Sequence, residues 1–131
     1  MNFKVTAAAR YVLGVIFLVF GSNGLMMMVT GSGFIPMPPP TPEMGAAMGG
    51  LFAAKYLMPL VKVIQVMSAL MLLSNKFTNL AVTLLGPVVI NIFLMHLFLD
   101  PAGLPVAIIV FILWGVLLKS KWSVFKPLVS C

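Results

Sequence analysis

The chain has 131 residues, of which 62% are hydrophobic and 8% charged, with a formal net charge of +6. That is too little polar surface to cover a water-soluble globule, so composition excludes a soluble domain and points to a bilayer. Nor does the positive charge read as a nucleic-acid surface, which needs basic residues gathered on one face or stripe; here they punctuate the ends of apolar runs. Lipid is therefore the first partner implied, and nucleic acid is not one.

Four runs reach the roughly 20 residues that a helix needs to cross hydrocarbon. The expected fold is all-α: one integral membrane four-helix bundle over residues 1–131, with spans at about 8–29, 56–75, 79–99 and 102–122. Lys4 and Arg10 precede the first run, Lys76 separates the second from the third, and Lys119, Lys121 and Lys126 follow the fourth. Both acids, Glu43 and Asp100, lie in the other two loops. By the positive-inside bias of Lys and Arg, both termini are expected in the cytoplasm and those two loops outside.

The first run, with Lys4 and Arg10 ahead of its apolar core, mimics a secretory signal, but no small-x-small site follows that core at a usable distance. It is expected to stay as the first helix. Ala7, Gly14 and Gly21 recur on one side of it, the small-residue pattern that lets a neighbouring helix approach closely. "TGSGFIPMPPPTPEMG" follows, and its prolines forbid a regular helix or central strand there. Thr41 then Pro42 reads as an N-cap with proline at the first helical position, and Glu43 stands in the first turn where an anion suits the helix dipole. A short extra helix within 30–55 is expected at the outer surface or dipping into it, with Gly45, Gly49 and Ala53 along one side.

The second span carries Pro59 one turn in, and the short link "SNKFTN" makes the second and third spans antiparallel neighbours. Gly86-Pro87 near the middle of the third span should bend it and free carbonyls that neighbours or water must satisfy. The fourth has an apolar core of 15 residues, Leu104 to Leu118. It reaches membrane length when Ala102 to Trp122 is helical, with Lys119 and Lys121 snorkelling and Trp122 at the interface.

Polar residues interrupt these spans at related depths. With a rise of about 1.5 Å per residue, Asn23, Lys62 and Asn91 fall in the outer half within roughly one turn of each other, Gln65 lies near the midplane, and His96 about one turn beyond Asn91. Lys62 and Gln65, three residues apart, share a helix face. Asn91 and His96, five apart, are about 140° apart on an ideal helix, so one face holds both only with help from the proline bend. An ionisable group inside a span is rare and usually faces the bundle interior. Asn23, Lys62, Gln65, Asn91 and His96 are thus the candidate ligand-binding layer. The plainer readings stand beside it: Lys62 snorkelling to the outer end, the amides as interhelical hydrogen bonds, His96 as a satisfied interfacial histidine.

Methionine is abundant, with 11 residues, most of them in the outer half or outer loop. Thioethers with an imidazole suit Cu(I), yet methionine is also an adaptable packing residue, and no metal ligand set is assigned. The single cysteine, Cys131, cannot form an intramolecular disulfide, and one histidine cannot give bis-histidine haem ligation. No catalytic residue and no cofactor are evident; a quinone would be reached through a partner.

The chain resembles the DoxX-like family of small four-helix membrane proteins from about Ala8 to Leu118. The most specific stretch is "GPVVINIFLMHLFLDPAGLP", where Pro87, Asn91, His96, Asp100-Pro101 and Gly103 stand at the family's spacing. "ARYVLGVIFLVFGSNGL", with Arg10 at the membrane edge, and "YLMPLVKVIQVMSALMLL", with Tyr56 and Pro59, support it. The resemblance implies an integral four-helix bundle of the bacterial cytoplasmic (inner) membrane, in a family mostly of unassigned activity. Some relatives are linked to thiosulfate oxidation with quinone as acceptor or to membrane oxidoreductase complexes, and more distant ones look like assembly factors. This sequence departs from the pattern at Gln65, where members commonly carry glutamate, and at Ser68 and Ala69, where they carry a glycine pair. Gln65 holds no proton or charge, which argues against a proton-coupled role there.

Three functions follow in order. A non-catalytic subunit or assembly partner of a membrane complex, or a homo-oligomer, fits the lack of a nucleophile-base pair, ligand cluster or nucleotide loop. A quinone- or sulfur-oxyanion-interacting component of a membrane oxidoreductase system would use Lys62 as donor, with Asn23 and Asn91 orienting the ligand. A small transporter ranks third, since a single copy of four short spans is small for alternating access and shows no inverted repeat.

Overall fold

The computed structural model describes residues 2–131, and every element assigned among them is helical. Six helices follow one another: α1 Phe3–Thr30, α2 Pro42–Ala53, α3 Leu57–Ser74, α4 Thr78–Phe98, α5 Leu104–Ser120 and α6 Trp122–Val129, with a 3-10 turn at Pro101–Gly103 ahead of α5. Four stretches are long and apolar enough to cross a membrane: α1, α3, α4, and the 3-10 turn joined to α5. The chain is an integral membrane protein built on these four, which run over Phe3–Thr30, Leu57–Ser74, Thr78–Phe98 and Pro101–Ser120.

The four long helices close a ring in which α1 packs on α3, α3 on α4, α4 on α5 and α5 on α1, while α2 touches α3 and α6 touches α5. One end of the bundle, the terminal face, carries both chain termini and the α3–α4 link. The other, the loop face, carries the α1–α3 and α4–α5 connections. Close packing of α1 on α3 depends on glycine, because lipid offers no hydrophobic drive for helices to associate and dispersion contacts must be won by proximity. A Cβ on Gly14 would stand 2.9 Å from Leu73 Cγ, and one on Gly21 2.9 Å from Val66 Cγ2. The small-residue side of α1 is thus filled by the protein's own α3.

The dry core lies towards the terminal face. Leu13 of α1, Leu72 of α3, Leu85 of α4 and Leu117 of α5 are fully enclosed, with Ala69, Ala81 and Val82 between them. Large apolar side chains such as Val15, Leu70 and Ile112 point outward, as helices solvated by lipid require.

Helix ends follow the local chemistry. Asn2 caps α1, its Oδ1 accepting from Lys4 N at 2.8 Å, so the helix begins several residues ahead of the expected span. Gly31, at φ 83°, ends it in the left-handed conformation that glycine adopts without strain. Thr41 caps α2, with Pro42 and Glu43 following in the first turn. Thr41 Oγ1 also donates to Leu99 O at 2.5 Å and so ties the start of α2 to the end of α4. α4 runs as one helix through Pro87, whose missing N–H leaves the Thr83 carbonyl without its helical donor. One residue earlier Trp114 Nε1 donates to Val82 O at 2.9 Å, a side-chain tie from α5 to the backbone of α4. The fourth span ends sooner than expected: α5 stops at Ser120, Lys121 breaks the helix, and α6 begins at Trp122.

Candidate functional site

Lys62, Gln65 and Ser68 form an inward ridge on α3, since residues three apart fall on one side of a helix. Gln65 and Ser68 are buried and Lys62 is half-buried. The ridge meets α1 at its glycines: a Cβ on Gly24 would stand 2.6 Å from Lys62 Cε, and one on Gly21 would stand 3.3 Å from Gln65 Cβ. The lysine stem therefore lies along the gap that Gly24 leaves. Its ammonium donates to Gln65 Oε1 at 3.4 Å, a long bond. One turn deeper, the Ser68 hydroxyl is sealed from solvent and has no hydrogen-bond partner among the described residues. A buried hydroxyl without a partner is uncommon and calls for an explanation.

The other three candidate residues are not part of this ridge. Asn23 is buried on α1, but its Oδ1 accepts from Phe34 N at 2.8 Å and Ile35 N at 3.1 Å. It fastens the loop after α1 to the helix, and the carboxamide lies where a Cβ on Gly33 would sit. His96, near the end of α4, is paired with the Asp100 carbonyl at 3.1 Å through Nδ1; because a carbonyl only accepts, Nδ1 carries the proton. Its ring occupies the space a Cβ on Gly103 would need. His96, Asp100 and Gly103 thus make a clasp that turns the chain from α4 into α5, a physical reason for the spacing of those residues. Asn91 is exposed on α4, with Nδ2 donating to Met95 Sδ one turn on at 3.3 Å. It shares the outward side of α4 with Pro87, Ile90 and Leu94.

Arg10 escaped the sequence reading as more than an edge marker. It is 9% exposed, its Nη1 donates to Leu72 O at 2.5 Å, and its guanidinium sits 4.3 Å from the centroid of the Tyr11 ring. A cation bonded to a carbonyl in the last turn of α3 suits the negative end of that helix dipole. Ser68 was noticed only as a departure from a family pattern; its place three residues after Gln65 and six after Lys62 was the signal for the ridge.

Chemically, the ridge offers an ammonium, an amide and a hydroxyl in a row, suited to hydrogen bonds with a carbonyl or an oxyanion. No cluster of three or more His, Cys, Asp or Glu side chains poised for a metal occurs among the described residues. No family model matches the chain, and neither a curated protein nor a solved structure matches it.

Proposed function

We propose that this chain is a DoxX-like integral membrane protein that acts as a non-catalytic subunit or assembly partner of a membrane complex, engaging another membrane protein through the outward side of α4. Asn91 is the observation that carries the reading. Its carboxamide is exposed in the middle of an apolar surface formed by Ile90 and Leu94, and its one hydrogen bond among the described residues is to a thioether. A methionine sulfur is a weak acceptor, so the amide keeps most of its hydrogen-bonding capacity in a medium that supplies no partner. A polar group on a neighbouring span satisfies it, at about 0.6 to 2 kcal/mol per interhelical bond. Asn23 and His96 serve the fold instead, one holding a loop and the other a turn.

In this reading the Lys and Arg bias sets both termini in the cytoplasm, α2 lies along the outer surface with its glycines towards lipid or partner, and the membrane is the bacterial inner membrane. The test is gentle extraction of tagged protein from its own membrane, with the intact complex weighed beside Asn91→Leu. A stoichiometric second polypeptide that the variant loses supports the proposal. Recovery of the chain alone, or equal retention by both forms, refutes it, and a doubled mass lost in the variant replaces the partner with a second copy.

A second reading, a quinone- or sulfur-oxyanion-interacting component of an oxidoreductase system, is favoured by the unpartnered Ser68 hydroxyl on the ridge with Lys62 and Gln65. Electrons would come from the partner. Lys62→Met with folding intact should lose a co-purified quinone; unchanged quinone content removes the ridge from that role.

A further inference from the structure

We infer that the terminal face carries a binding site for the phosphate headgroup of an anionic phospholipid, in the hollow between the start of α1 and the end of α5. The hollow measures about 350 Å³ and is lined by Phe3, Thr6, Lys119, Ser120 and Lys121. Lys119, in the last turn of α5, and Lys121, at the break after it, line one side of it, and Phe3 and Thr6 of α1 line the other.

Charge, depth and shape each point to this ligand. Both side-chain carboxylates of the protein, Glu43 and Asp100, sit at the loop face, whereas six of the eight basic residues, Lys4, Arg10, Lys76, Lys119, Lys121 and Lys126, gather at the terminal face. Arg10 is engaged with Leu72. Lys119 and Lys121 thus border the hollow with no acidic side chain at their end of the bundle, and a basic hollow between spans is the form that headgroup sites take.

Depth comes from α6. The chain breaks at Lys121, and the helix that follows leaves Trp122, Val124 and Leu128 exposed while Phe125 packs against the core. A short helix with apolar side chains and an interfacial tryptophan lies at the boundary between acyl chains and headgroups. The break therefore holds Lys121 at the level of lipid phosphate.

Shape separates a lipid from a free anion. Phe3, 84% exposed, gives the hollow an apolar wall on which a glycerol and acyl chain can rest. The two hydroxyls are already donors within their own helices, Thr6 Oγ1 to Asn2 O at 3.3 Å and Ser120 Oγ to Leu117 O at 2.7 Å. With both hydroxyl protons engaged, the lysine ammonium groups supply the charge and the hydrogen-bond donors for a phosphate. This site is separate from the α3 ridge and the outward side of α4.

The test uses the full chain in mild detergent, with binding of phosphatidylglycerol, phosphatidylcholine and inorganic phosphate each followed by native mass spectrometry. Lys119→Gln combined with Lys121→Gln should weaken phosphatidylglycerol binding about 25-fold, roughly fivefold for each lysine near an anionic surface. The charge-matched pair Lys55→Gln with Lys76→Gln should stay within about twofold of the parent, and Lys119→Arg with Lys121→Arg should retain binding. Phosphatidylcholine should bind weakly to every form, and inorganic phosphate should not displace the lipid. Parental affinity in the double glutamine variant, or equal loss in the charge-matched pair, would overturn the site. Displacement by inorganic phosphate would overturn its assignment to lipid.

Discussion

Replacing Arg10 with methionine tests the tie between α1 and α3 at the terminal face. Methionine keeps an unbranched, apolar stem of comparable reach and deletes the guanidinium, so the loss is of polar contacts more than of packing. The deleted bond, Nη1 to Leu72 O, carries a charge on the donor side, and such bonds contribute about 1.5 to 3 kcal/mol. The guanidinium over Tyr11 adds about 0.5 to 1 kcal/mol. Leu72 O also accepts from Asn75 N at 3.3 Å, so the carbonyl is not stranded and the full desolvation penalty does not apply. The expected destabilisation is about 2 to 4 kcal/mol. Lys4→Met removes the same charge from the exposed first turn of the same helix and should change stability by about 0.5 kcal/mol or less. Unfolding in mixed micelles can be followed through Trp114, whose indole is bonded to Val82 O inside the bundle. Equal stabilities for Arg10→Met and Lys4→Met would refute the reasoning.

Three further substitutions probe the residues that hold the loops and the helix pair. Asn23→Leu removes the acceptor for Phe34 N and Ile35 N and should make the 31–41 loop at least severalfold more sensitive to protease, while Asn23→Asp, which keeps a carboxylate oxygen in place, should stay near the parent. Gly103→Ala places a methyl on the His96 ring and should lower thermal stability; in a His96→Ala background the same change should be almost silent, a coupling that a double-mutant cycle reads directly. Gly21→Val pushes α1 away from Val66 and Gln65 and should cost about 1 to 3 kcal/mol, whereas Gly24→Ala meets only the flexible stem of Lys62 and should be milder.

The membrane architecture was legible because length and apolarity alone identify a span: no other element buries its backbone polar groups in hydrocarbon without neighbours. The cap of α2 was legible for a similar reason, since Thr41-Pro42 is a local signal that tertiary contacts reinforce. Two boundaries were not. Asn2 is a cap because its side chain reaches Lys4 N, and the turn that follows, with Lys4 and Thr6 between Phe3 and Val5, is too polar to read as the start of a span; Lys121 breaks the last span where the sequence reads on smoothly into Trp122. The polar residues were harder, since depth along a helix is readable from residue count but direction around it is not. Lys62 and Gln65 share a face by arithmetic and do so in space. Asn91 lies at a related depth but points away from the bundle, and Asn23 at its own depth turns to a loop rather than to Lys62. Arg10 looked like a topological charge because its partner is a backbone carbonyl 62 residues away, which no side-chain pattern advertises.

The outward amide is the centre of the account, and photocrosslinking from its own surface tests it most directly. A photoreactive residue placed at Ile90 or Leu94, beside Asn91, is irradiated in native membranes and compared with one at Ile109 or Ile112 on the exposed side of α5. A discrete adduct with one other membrane protein is expected from the α4 positions, absent from the α5 positions and abolished by Asn91→Leu. Lipid adducts alone from both helices, or a protein adduct indifferent to Asn91, would contradict it.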